Sequence, residues 1–130
     1  NYIWDNDHRI VESYGVSWSQ FLALSSLRGA APDFTLSPTQ LYTGAQVTSG
    51  GMTNMLHALT DAGFIERIEN PDDGRSRLVR LSPEGANLAE QIVDKLIETN
   101  KALIGGILTA GEAEQLATLL AKLSKGLHDK

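Results

Sequence analysis

Apolar positions recur at three- and four-residue steps along most of the chain and switch to strict alternation in one short stretch. Between Tyr2 and Tyr14, the residues Ile3, Trp4, Ile10, Val11 and Tyr14 form a loose helical pattern that ends at Gly15. From Ser17, the positions Trp18, Phe21, Leu22, Leu24 and Leu27 predict a strongly apolar helix stopped near Gly29, and Gly29-Ala-Ala-Pro-Asp33 reads as a loop. A short helix is expected from Ser37 to about Gly44. Gln46-Val47 then turn into a longer helix, Thr48 to Ala62, closed by Gly63 where left-handed backbone is wanted. Phe64 to Glu69 and Ser76 to Leu81 alternate as strands do, and Pro71 and Asp73-Gly74 between them are turn signals, so a hairpin follows. Two helices end the chain. The first, Pro83 to about Gly105, carries Leu88, Ile92, Val93, Leu96, Ile97, Leu103 and Ile104; the second, from Thr109, sets Leu116, Leu119, Leu120, Leu123 and Leu127 on one face.

Helix starts are marked independently of this periodicity. Ser17-Trp-Ser-Gln20, Ser37-Pro-Thr-Gln40 and Thr109-Ala-Gly-Glu112 each pair a hydroxyl cap with Gln or Glu three residues on, the arrangement that satisfies two end amides reciprocally. Ser82-Pro83-Glu84 places proline at a first helical position, where its missing N–H costs nothing, and Thr48-Ser49 marks a further start. The order is a mainly α fold: a winged helix-turn-helix with a two-stranded β-wing, plus N- and C-terminal helices. We expect residues 17–81 to form the DNA-binding module, and residues 1–16 and 82–130 to form a helical dimerisation region of the same compact domain.

Composition adjusts this picture in two ways. The 130 residues lack cysteine, which removes disulfides and thiolate chemistry and suits a reducing cytoplasm. No run approaches the roughly 18 apolar residues of a membrane span, and no signal peptide is visible, so a cytoplasmic protein without a membrane partner is expected. The net charge of −5 opposes a nucleic-acid partner, because phosphate neutralisation supplies most non-specific affinity. A DNA reading therefore depends on where the positive charges sit.

In a helix-turn-helix the second helix enters the major groove. Thr48 to Ala62 suits that use. Met52, Met55, Leu56 and Leu59 fall on one side, and Ser49, Gly50, Thr53, Asn54 and His57 on the other. Hydroxyls and an amide can bond to base edges or phosphates, and the Thr53 methyl can meet a thymine methyl. Gly50 and Gly51 let backbone amides approach phosphate at the helix N-terminus. On the hairpin, Arg75 and Arg77 suit a minor groove or phosphates, with Asp73 orienting an arginine.

These residues carry a resemblance. Leu36-Ser-Pro-Thr-Gln-Leu41, Thr48-Ser-Gly-Gly-Met-Thr-Asn54, Ala62-Gly-Phe-Ile-Glu-Arg67 and Asn70-Pro-Asp-Asp-Gly-Arg-Ser-Arg-Leu-Val-Arg-Leu-Ser-Pro-Glu-Gly85 closely resemble the multiple-antibiotic-resistance regulator (MarR) family. The resembled branch begins its recognition helix with Ser/Thr-Ser-Gly-Gly-Met-Thr-Asn. The resemblance implies a homodimeric repressor on a pseudo-palindromic operator in double-stranded DNA, released by a small aromatic or phenolic ligand. The expected DNA contacts are Ser37, Thr39, Thr48, Ser49, Gly50, Gly51, Thr53, Asn54, His57, Asp73, Arg75 and Arg77. In this branch the residue after Thr-Asn, and another three positions on, are commonly arginine; here they are Met55 and Ala58. Phosphate contact then falls to Arg75, Arg77, Arg28, Arg80 and backbone amides.

The apolar faces of the last two helices exceed what one small winged domain covers, which independently favours a dimer. Trp4, His8, Tyr14, Trp18 and Phe21 are the candidate lining of an effector pocket, with Trp18 and Phe21 also suited to plain core. No catalytic or metal site and no cofactor is expected: His8, His57 and His128 lie far apart, Asp5, Asp7 and His8 suit a solvated helix face, and no phosphate loop or H-E-x-x-H motif occurs. The rival reading is a winged-helix module used only for protein contact, which the acidic charge favours.

Overall fold

The computed structural model describes residues 2–45 and 48–128. Among the described residues, six helices and three strands follow in order: α1 (Tyr2–Ser13), α2 (Trp18–Arg28), β1 (Thr35–Leu36), α3 (Pro38–Ala45), α4 (Ser49–Asp61), β2 (Ile65–Glu69), β3 (Arg77–Leu81), α5 (Pro83–Gly105) and α6 (Ala110–His128). The Gln46-Val47 turn lies outside the described residues.

The capping signals define the helix starts. Ser17 and Gln20 exchange both bonds, at 3.1 and 2.8 Å, as do Ser37 and Gln40, at 3.2 and 2.8 Å. Thr109 and Glu112 form the third pair, at 3.2 and 2.9 Å. Glu112 is held below the ordinary carboxylate range first by its bond from the Thr109 amide and then by the Thr109 hydroxyl. The end of α4 is equally defined. Phe64 N–H donates to Leu59 O and Gly63 N–H to Thr60 O, both at 3.0 Å, with Gly63 at φ +81°. These two bonds satisfy carbonyls that would otherwise be orphaned at the helix end.

The sheet holds three strands in the order β1-β3-β2, all antiparallel. The hairpin is as expected, and β1 adds to it: Thr35 pairs with Arg80 and Leu36 with Val79. Two residues show no period, so nothing local announces this strand; pairing with β3 creates it. Before β1, the Phe34 carbonyl accepts from Leu81 N–H at 2.9 Å, and Phe34 takes φ 53°.

The chain divides into two compact units, Asn1–Asp94 and Lys95–Lys130. In the first, Leu24 and Leu27 of α2, Leu41 of α3, Met52, Met55, Leu56 and Leu59 of α4, Ile65, Val79 and Leu81 of the sheet, and Ala89 of α5 form one buried cluster. Full burial of a leucine contributes about 1.5–3 kcal/mol, so the cluster fixes α4 against the helices before it. In the second, Leu116, Leu119, Leu120, Leu123 and Leu127 are 43–63% exposed. Their three- and four-residue spacing makes an apolar stripe along α6.

Candidate nucleic-acid interface

Helix α4 presents the polar face that its sequence implies. Met52, Met55, Leu56 and Leu59 are all buried, while Gly50, Thr53, Asn54, His57 and Ala58 are exposed. The Ser49 side chain lies outside the described residues. Thr48 caps the helix through its side-chain oxygen, which accepts from Gly51 N–H at 3.0 Å. The Gly51 amide is thus already occupied. The Ser37 hydroxyl is likewise engaged in capping α3, and Ser37 is half-buried. Thr39 is exposed and lines a groove of about 520 Å³ with Pro38, Tyr42, Met52 and Thr53.

The structure separates the two positions at which arginine was expected. Met55 is 6% exposed and packs in the core, so it has no bearing on phosphate contact. Ala58 is exposed, so of the two positions it is the one where a cation would reach the surface.

The wing is stiffened by its own polar residues. Asn70 Oδ1 accepts from Asp72 N–H and Asp73 Oδ1 from Arg75 N–H, both at 3.0 Å, and Asn70 Nδ2 donates to Ser76 Oγ at 3.2 Å. Asp73 therefore shapes the turn through the Arg75 main chain, which leaves the exposed Arg75 at the tip. Register places Glu69 opposite Arg77 and Arg67 opposite Val79, so Arg67 and Arg77 are diagonal neighbours on one face. Arg77 Nη2 donates to Arg67 O at 3.0 Å, and Arg67 Nη2 makes a longer 3.5 Å contact with Arg77 O.

These two arginines complete a notch of about 220 Å³ with Leu56, His57, Thr60 and Asp61 of α4. Burial and, secondarily, the Arg77 charge hold the Arg67 guanidinium below the ordinary arginine range, and its Nε is buried without a hydrogen-bond partner. A like-charged pair with an unused donor is electrostatically suited to an anion, with Asp61 offsetting part of the charge. Arg67 is a residue that the sequence reading missed. Alternation alone would place it on the face of Ile65 and Val79, toward α4, and that signal was present. Arg80 stands on the opposite face, paired with Glu66 at 2.8 Å. Arg28 lines a different groove, with Ser25, Gly29 and Val93.

The arrangement is a helix whose polar face is neutral but for Asp61, beside a hairpin that carries Arg67, Arg75 and Arg77. The family sequence model described as "MarR family" matches residues 14–76. The multiple antibiotic resistance protein MarR of Salmonella typhimurium is 35% identical over 108 residues, covering 83% of this chain and 73% of that protein. The chain belongs to the MarR family. Solved MarR structures share the winged fold: the multiple antibiotic resistance repressor MarR matches with a TM-score of 0.82 at 30% identity, over 94% of this chain and 86% of that one. A mutant Escherichia coli MarR complexed with operator DNA matches with a TM-score of 0.66 at 31% identity, over 94% and 88%. MarR-family proteins are transcriptional regulators.

The effector candidates fall elsewhere. His8 stacks on Trp18 with centroids 4.3 Å apart and lies 4.1 Å from Trp4, and Trp18 lies 5.5 Å from Phe21. His8 Nδ1 is 2.9 Å from Trp4 O, so the N–H of that pair sits on Nδ1. Phe21 is buried, which suits the plain-core reading, and the half-buried Tyr14 is not one of these stacked rings. Among the described residues no helix is long and apolar enough to cross a membrane.

Proposed function

We propose that this chain is a homodimeric repressor that reads a pseudo-palindromic operator and is released by a small aromatic or phenolic ligand. The observation that carries the reading is the exposure of Gly50, Thr53, Asn54 and His57 on α4 beside a notch and tip furnished by Arg67, Arg75 and Arg77. Uncharged groups on the helix are suited to base edges and arginines on the wing to phosphates. The operator complex of E. coli MarR supports the same use of the fold. Within the family, Thr48-Ser-Gly-Gly-Met-Thr-Asn54 supports the branch that begins its recognition helix in this way.

In this reading residues 17–81 meet DNA, and residues 1–16 with 82–130 dimerise. The exposed leucine stripe of α6 supports dimerisation, since large apolar patches mark interfaces. The Trp4–His8–Trp18 stack offers flat, apolar faces to an aromatic effector. The protein then works in the cytoplasm, without a cofactor. Salt-titrated DNA binding by fluorescence anisotropy tests the proposal: a sequence-dependent complex that weakens with salt is expected. The absence of any sequence-dependent, salt-sensitive binding at micromolar protein would favour the second reading, a winged module for protein contact, which the net charge of −5 and the absence of Lys and Arg from α4 support.

A further inference from the structure

Ser82 is the one buried polar residue in the core of the Asn1–Asp94 unit, at 4% exposed among the described residues. It stands between β3 and α5 and makes four hydrogen bonds, one of them the helical bond that its carbonyl accepts from Ala86 N–H at 2.9 Å. Its hydroxyl donates to Gly63 O at 2.6 Å and accepts from Gly85 N–H at 3.0 Å, while its amide donates to Phe64 O at 3.1 Å. Gly63 and Phe64 are the two residues whose amides close the end of α4. One side chain thus ties the terminus of the recognition helix to the first turn of α5, while the same residue's amide holds the base of the wing.

Gly85 permits the grip. A Cβ there would lie 2.1 Å from Phe64 O, a distance that only a shift of backbone could relieve, and 2.8 Å from Leu81 Cδ1. Local needs alone do not account for this closeness. A serine cap satisfies the Gly85 amide without any contact to Gly63, and the end of α4 is already closed by its own two bonds.

We propose that Ser82, with Gly85 as its spacer, is a positioning residue for sequence reading: it fixes the angle between α4 and the wing. This rests on the DNA-binding reading above. Without the hydroxyl, α4 and the wing remain folded but lose their fixed relation, so bases and phosphates are no longer met together. General attraction to phosphate, which needs no such relation, persists.

The test compares wild type, Ser82→Ala, Ser82→Thr and Ser82→Cys on the tightest duplex selected from a random pool and on its scramble. Affinities are referred to the folded fraction measured by circular dichroism. Ser82→Ala should lose about tenfold in the ratio of specific to scrambled affinity, with scrambled affinity nearly unchanged, since fixed geometry underlies specific readout. Ser82→Thr, which keeps the hydroxyl, should restore the ratio. If Ser82→Ala does not fold, Ser82→Cys, of similar volume and a weaker donor, should show the same selective loss. A lowered melting temperature with the wild-type ratio retained would reduce Ser82 to a stabilising residue and overturn the proposal. Failure of the DNA reading itself looks different: wild type would then not distinguish the two duplexes at all.

Discussion

Helix α4 and the wing lie side by side yet are built on opposite electrostatic plans. The helix has no Lys or Arg, and Asp61 is its one charge beside neutral groups. The wing strands hold Arg67, Arg77 and Arg80, with Arg75 at the tip. Of these, Arg80 is neutralised by Glu66, while Arg67 and Arg77 crowd each other on the face that meets α4. The division explains how a chain of net charge −5 can still suit DNA: a few arginines converge beside a helix that carries one opposing charge. It also implies that discrimination and grip can be damaged separately.

The largest effect should come from undoing the anchor of the helix. Leu59 is 1% exposed and packs on the core, so Leu59→Ala should cost about 2–5 kcal/mol in urea unfolding. A loss below 1 kcal/mol would mean that α4 is not held as described. Next come two variants on the proposed DNA surface. Asn54→Ala should weaken the selected duplex by about 1–3 kcal/mol and leave the scramble unaffected. Arg75→Ala should weaken both duplexes alike and reduce the logarithmic salt slope by about one. The same pattern from both variants, measured by anisotropy across a salt series, would break the division between helix and wing.

Much of this surface is legible in sequence because its determinants are local. Capping pairs lie three residues apart, the buried face of α4 follows helical spacing, and the hairpin is announced by Pro71 and Asp73-Gly74. What stayed hidden depends on partners distant in the chain. β1 exists through pairing with β3, and Thr35-Leu36 carries no period of its own. The Arg67–Arg77 relation depends on hairpin register, which a loop of this length does not fix by itself. At Met55 helical spacing outweighs the resemblance: the position is commonly arginine in the resembled branch, yet its apolar register sets it in the core. The grip of Ser82 on Gly63 spans nineteen residues, whereas its cap of Gly85 is local and was evident.

A smaller effect should follow from giving the helix the charge it lacks. Ala58 is exposed on α4, so Ala58→Arg should leave stability within about 0.5 kcal/mol. It should steepen the salt slope by about one and tighten both duplexes, which would move part of the grip from the wing to the helix. An unchanged slope would place position 58 outside the phosphate path.

The smallest effect lies outside both regions and serves as their control. The Glu112 carboxylate is depressed by the Thr109 amide and hydroxyl, so its folded value lies below its unfolded one. For such a group the stabilisation is present above the unfolded value and is lost as pH falls through the folded value. The Thr109 amide should therefore exchange faster as pH drops below the ordinary carboxylate range, after correction for intrinsic rates. In Glu112→Gln the cap survives, because glutamine also accepts from the cap amide, but that pH dependence disappears. DNA affinity at neutral pH should be the same for Glu112→Gln and wild type, since position 112 belongs to α6 and to neither α4 nor the wing; a change there would mean that the start of α6 bears on the proposed DNA surface.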